Sequence, residues 1–208
     1  MNQLPPYRGG ITREQWLVDE TRIVARLMLD SPELHNATLL AERILKDNLF
    51  QYPTEREIGS ITRACARRIE ALSNDDALRD RLTSLLARGT AEQLRQTNLY
   101  AMARDNRIVW DFLTCLVAPK FANLDTTLRK HEIETFLQGL RAQDERVATW
   151  SDATLNKIRQ VLTQCLEQCD VYNRKTERLQ APLLDYDLEA MIRENGDEAI
   201  LPAFGIAR

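Results

Sequence analysis

The 208-residue chain has little of what most active sites are built from. Only two histidines are present, His35 and His131, far apart in sequence. The seven glycines form no phosphate-cradling loop and no Gly-x-Ser-x-Gly elbow, and no histidine-containing metal motif occurs. General acid–base chemistry would therefore rest on carboxylates alone, and nothing arranges them for it. Four cysteines stand at 65, 115, 165 and 169. Cys165 and Cys169 have the i,i+4 spacing of half a metal site, but no second close pair completes a tetrahedral set. Each cysteine falls on the apolar side of an expected helix, as reduced thiols packed like small hydrophobes do. No apolar run approaches the ~18 residues of a membrane helix, and the opening Met1 to Arg8 lacks the apolar stretch of a secretion signal. The expectation is a cytoplasmic protein with no membrane partner, no metal, no cofactor and no enzymatic reaction.

What the chain has is helix formers: Leu, Ala, Arg, Glu and Gln are plentiful, and seven prolines and seven glycines punctuate them. The capping-box patterns Thr12–Gln15, Thr54–Glu57 and Thr90–Gln93 predict three helix starts. Asn36, Ser73 or Asn74, and Asn106 suit three more. Pro119 is expected to close the helix opened at Asn106, and residues 118–125 make the clearest boundary. The predicted organisation is an N-terminal helical bundle over 1–118 and a C-terminal helical domain over 126–208. The latter holds a helix from Thr126 to about Ala142, another from Ser151 to Asp170, and a last one from Tyr186 to Asn195. The fold class is all-α with at most one small hairpin.

That hairpin carries the functional argument. The Ser151 helix runs into the basic segment Val171 to Arg178 and a further extended stretch, Leu179 to Leu184. A helix, a β-capable stretch, a basic turn and a second extended stretch is the order of a winged helix-turn-helix. At ~100° per residue, Leu155, Ile158, Leu162, Cys165, Leu166 and Cys169 share one side of the helix, and Asn156, Lys157, Gln160 and Gln164 share the other. Amides and Lys can pair with base edges, while Arg174, Lys175 and Arg178 can reach phosphates. The plainer alternative is a surface helix with a solvated polar face, which amphipathicity alone describes equally well.

A second basic set, Arg56, Arg63 and Arg67, recurs along one face of the helix opened at Thr54, spanning roughly 16 Å. Solvated charge is the competing account, since Glu55, Glu57 and Glu70 flank it. A third region supplies Arg95, Arg104, Arg107, Lys120, Arg129 and Lys130, interleaved with Asp105 and Asp111. The net charge of −3 hides an uneven distribution. After residue 178 only Arg193 and Arg208 oppose six acids, so the acidity belongs to the tail and the preceding body is nearly balanced.

Four stretches together resemble the BrxA proteins of BREX bacteriophage-exclusion systems: Ile11 to Asp30, Asn48 to Arg63, Arg107 to Leu113 and Trp150 to Lys157. The resemblance spans roughly residues 11 to 170 and rests on helix-packing patterns without catalytic residues. One departure is Cys169-Asp170, where the family pattern leads one to expect a glycine after the Ser151 helix. The resemblance implies a non-enzymatic phage-defence component with a NusB-like helical bundle, associated with double-stranded DNA. It assigns no individual contact residue. The face argument nominates Arg56, Arg63, Arg67, Asn156, Lys157, Gln160, Arg174, Lys175 and Arg178. Two rival expectations stand beside this one. The first is an adaptor for other BREX components, docking through the acidic stretch from Asp185 and the apolar end from Ala199 to Ala207. The second is an RNA-binding protein of NusB type.

Overall fold

The computed structural model describes residues 5–206 and is mainly α-helical, with one two-stranded sheet among those residues. It divides into two units, Leu17–Asp105 and the pair of segments Met1–Trp16 and Asn106–Arg208. We call these the inserted and the C-terminal unit. Residues 118–125, where the sequence suggested a boundary, lie within the C-terminal unit.

In chain order the short helix α1 (Ile11–Glu14) is followed by α2 (Val18–Asp30), α3 (Ala37–Lys46), α4 (Glu55–Glu70), α5 (Asp76–Arg88) and α6 (Ala91–Asp105). The Thr12 capping box is not formed. Thr12 donates instead to the Gly9 carbonyl, α1 ends after Glu14, and Leu17 takes a left-handed conformation (φ 43°) before α2. The single helix expected here is thus two, and the unit division falls between them. The other caps follow their chemistry. The Asn36 side chain accepts from the Thr38 and Leu39 amides, and Thr90 and Gln93 cap each other reciprocally. The fourth start shifts to Asp75, with Ser73 accepting the Asp75 amide. Helix α3 stops at Lys46, short of Phe50, because Asn48 and Gln51 turn the chain with positive φ. In the inserted unit α2 packs against α4, α5 and α6, burying Val24, Met28, Cys65, Ile69, Leu82, Leu86 and Leu99.

The C-terminal unit continues with α7 (Arg107–Asp111), a π-helical turn over Phe112–Val117, and α8 (Ala118–Ala122) as one helical run. Pro119 does not end this run. Its missing amide hydrogen would have served the Cys115 carbonyl, and the turn ahead of it widens to i→i+5 spacing. The added residue rotates later positions out of phase, and Cys115 comes out exposed, unlike the three buried cysteines. Then follow α9 (Lys130–Gln143), α10 (Glu145–Ala148), α11 (Asp152–Gln168), strands β1 (Tyr172–Asn173) and β2 (Arg178–Leu179), and α12 (Tyr186–Glu194). The helix expected from Thr126 begins only at Lys130, and the extended stretch after Leu179 is not strand. A 3₁₀ segment, Glu198–Phe204, buries Ile200, Leu201, Ala203 and Phe204, so the apolar end up to Phe204 is core and not an exposed docking segment. Ala207 lies outside the described residues.

Asp170 does what the missing glycine would have done. It adopts φ 56°, its amide donates to the Glu167 carbonyl, and the Val171 amide donates to the Leu166 carbonyl. These two bonds close α11 in a Schellman arrangement. Aspartate enters the left-handed region more readily than most residues, and a β-branched side chain does so at real cost. Asp170→Val is expected to lower unfolding free energy by roughly 1–2 kcal/mol, and Asp170→Gly to leave it near or above the parent. Gly205→Ala should be worse still, because at φ 78° the added Cβ would lie 2.3 Å from the Ala181 Cβ. Urea titration of the three variants checks both.

Candidate nucleic-acid interface

Helix α11 is capped by Ser151, whose oxygen accepts from the Thr154 amide. Leu155, Ile158, Leu162, Cys165, Leu166 and Cys169 are buried as the periodicity predicts, and Val161 and Thr163 join them. Asn156 and Gln160 are exposed and Lys157 and Gln164 half-buried, leaving a face of amides and one ammonium. Asn156 accepts from Arg159 Nη2 at 2.7 Å, which fixes its amide plane.

From the Schellman turn the chain enters β1, reverses, and returns in β2, pairing Tyr172 with Leu179 and Asn173 with Arg178. The turn is set by Asn173, whose side chain accepts from the Lys175 and Thr176 amides at 3.0 and 3.2 Å. Glu177 completes it at φ 52°. Lys175 and Arg178 are exposed. Arg174 is half spent: its guanidinium lies 2.7 Å from Glu167 Oε2 and its amide donates to the same carboxylate.

The hairpin does not stand alone. Residues 126–128 run antiparallel beside β2, with a bridge between Thr127 and Arg178. The Leu128 amide donates to the Glu177 carbonyl and the Leu179 amide to the Thr126 carbonyl. Arg178 Nη1 donates to Thr126 Oγ1 at 2.7 Å, and the buried Tyr172 hydroxyl to the Leu128 carbonyl at 3.1 Å. Burial first, then the Glu177 and Glu167 charges, push that phenol above its ordinary pKa, which keeps it a donor.

Lys120 holds this edge. Its side chain is only 10% exposed, and Nζ lies 2.8 Å from Asp125 Oδ2 and 2.6 Å from Glu132 Oε1. The same two carboxylates accept from the Thr127 and Arg129 amides, so one ammonium ties down both ends of the 126–128 strand. Burial pulls its pKa down, but the bonds to Asp125 and Glu132 outweigh that and raise it. Glu132 is opposed by burial yet lowered by Lys120 and the Arg129 amide, and Asp125 is lowered by Lys120 and the Thr127 amide.

The remaining nominated residues lie in the inserted unit. Arg56 and Arg63 are exposed on α4. Arg67 is engaged: Nε and Nη2 donate to buried Asp105 at 2.9 and 3.1 Å. Arg104 donates to the Ala71 carbonyl, and Arg107 pairs with Asp111 at 3.3 Å and lies over the Tyr7 ring. Much of the arginine richness around residues 95–130 is therefore internal. Sequence reasoning listed Lys120, Arg129 and Lys130 only as part of that richness. The adjacent β-branched pair Thr126-Thr127, in a stretch assigned to helix, was the available signal for a strand.

The BrxA family model matches residues 5–196. The chain belongs to the BrxA family. A curated relative, the "BREX protein BrxA" of Bacillus cereus (strain H3081.97), is 28% identical over 158 residues, covering 75% of this chain and 76% of the relative. A crystal structure of an uncharacterized protein from Magnetospirillum magneticum superposes with a TM-score of 0.80 at 20% identity, over 96% of this chain and 98% of that one. That likeness speaks to the fold alone. As a BrxA-family protein the chain is a component of a BREX phage-defence system, and no helix among the described residues is long and apolar enough to cross a membrane.

The Lys120 cluster has a pH signature. Carboxylates whose pKa is depressed on folding stabilise above their unfolded values, near 4, and that contribution is lost as pH falls through the folded values. The raised Lys120 loses its contribution only above its ordinary range. Lys120→Met should therefore lower Tm by several degrees between about pH 6 and 9, and the gap to the parent should close below about pH 4. A gap that is constant with pH contradicts the assignment.

Proposed function

We propose that this BrxA-family protein is a DNA-holding component of its BREX system and carries a winged-helix module in its C-terminal unit. In this reading α11 lies along a major groove, Asn156, Lys157 and Gln160 face base edges, and the turn bearing Arg174, Lys175 and Arg178 reaches the flanking phosphates. The observation that carries the reading is the third strand. The chain order is helix α7–α8, extended segment 126–128, helices α9, α10 and α11, strand β1, basic turn, strand β2, with β2 paired to β1 on one side and bridged to Thr127 on the other. That order and pairing match a winged helix, with the 174–177 turn as its wing. A solvated surface helix followed by an incidental hairpin does not require the Lys120 clamp or the buried Tyr172 bond beneath the turn.

Charge supports the same reading. The acids after residue 178 set the sign of the whole molecule, while in the wing itself no carboxylate among the described residues pairs with Lys175 or Arg178. Arg56 and Arg63 form a second candidate contact in the inserted unit, and Arg67 contributes less because Asp105 holds it. Other BREX components are the expected protein partners. Of the docking segment in the adaptor reading, the apolar part at Ile200, Leu201 and Phe204 is core, while the acidic stretch around α12 keeps Asp187, Glu194 and Glu198 exposed.

Fluorescence-anisotropy titration of a labelled duplex over a salt series, with an RNA competitor, tests the proposal. Binding should weaken steeply with salt, with log K against log [salt] falling by about 0.9 per phosphate neutralised. Lys157→Gln, Lys175→Gln and Arg178→Gln combined should weaken binding at least tenfold and flatten the slope by about 2–3. No duplex binding at low salt, or displacement by RNA at equal concentration, contradicts it.

A further inference from the structure

Arg129 and Lys130 were separated from the wing by more than forty residues of sequence, and the fold returns them to it. Strand 126–128 runs antiparallel to β2 with Thr127 opposite Arg178. Beyond Leu128 the extended segment ends, Lys130 opens α9, and Glu177, the last residue of the wing turn, lies beside them. Two contacts fix the placement: the Leu128 amide donates to the Glu177 carbonyl, and the Lys130 amide to Glu177 Oε1 at 3.4 Å. Both side chains are exposed. The Arg129 guanidinium forms no side-chain hydrogen bond or salt bridge among the described residues, although its charge helps to lower the Asp125 pKa. Lys130 meets Glu134 at 3.5 Å in a solvent-exposed i,i+4 pair, which is weak and readily exchanged. The carboxylates nearest the strand are already engaged, Asp125 and Glu132 by Lys120, and Glu177 by the Lys130 amide.

We infer that Arg129 and Lys130 are phosphate contacts, joining Lys175 and Arg178 in one cationic strip along the edge of the wing sheet that tracks the backbone of a DNA duplex. The inference rests on the DNA-holding reading and adds residues to it. The strip mixes two kinds of contact. Arg129 can grip a phosphate with two parallel N–H donors, while the two lysines act as mobile point charges. Lys120, buried beneath the strip, is a positioning residue.

The test compares three full-length proteins in the same duplex titration: the parent, the double variant Arg129→Gln/Lys130→Gln, and a control double variant Arg43→Gln/Lys46→Gln. The control removes the same charge from exposed positions on α3 of the inserted unit. The backbone amides of 129 and 130 keep their partners in the first variant, so its Tm should stay with the parent's. Its affinity should fall about tenfold or more and its salt slope by about two, with the control unchanged. A double variant that binds like the parent while the parent binds duplex tightly overturns this inference and leaves the DNA reading standing. Equal losses in both double variants also overturn it, since net charge and not placement would then govern. A parent that binds no duplex overturns both.

Discussion

The geometry of the proposed wing depends on one buried ammonium. Lys120 sits where α8 ends, and its two carboxylate partners, Asp125 and Glu132, bracket the strand that gives the hairpin its third member. A two-stranded hairpin with two residues per strand has no stability of its own in water. Here it gains a neighbouring strand, and the apolar side chains of Leu128, Val171, Tyr172 and Leu179 bury beneath it. The cost of removing Lys120 from water is offset by two short charge-assisted bonds, and leaving the ammonium there without its carboxylates would be worse than having no charge at all. The clamp therefore specifies where the strand runs as much as it stabilises the unit.

Position, more than number, separates the cations proposed to meet DNA from the structural ones in this chain. Arg67, Arg104 and Arg107 each spend their donors on Asp105, the Ala71 carbonyl or Asp111 inside their own units. Lys175, Arg178 and Arg129 spend few or none on carboxylates. A weakly acidic protein can hold a polyanion on such terms, because the Debye length near physiological salt is about 8 Å and acids further away than this are largely screened from a bound phosphate. The six acids after residue 178 lower the overall charge without neutralising the wing.

Local signals in the sequence were legible where local chemistry decides the structure. Asn36, Thr54, Thr90, Asn106 and Ser151 cap helices because their side-chain oxygens reach the first free amides, a matter of three or four residues. The α11 stripe was legible for the same reason, as were the BrxA family and the all-α class. What escaped depends on distant partners. Pro119 reads as a stop, and only tertiary packing keeps the helix running through a π turn. Thr126 reads as the start of a helix, and is extended instead because β2, fifty residues later, offers it hydrogen bonds. The pairing of Arg67 with Asp105, and the placement of Arg129 and Lys130 beside the wing, cannot be seen in any window shorter than the fold. Asp170 is the instructive middle case: the family pattern leads one to expect a glycine there, and aspartate takes the left-handed conformation instead.

Duplex DNA is proposed to lie across α11 and the basic hairpin. Amide chemical-shift mapping of the full-length protein, with a short duplex titrated in, tests it most directly. Perturbations are expected at residues 153–164, 173–178 and 126–130, with the cores of both units unmoved. Perturbations confined to the inserted unit, or to the acidic segment around α12, would contradict it.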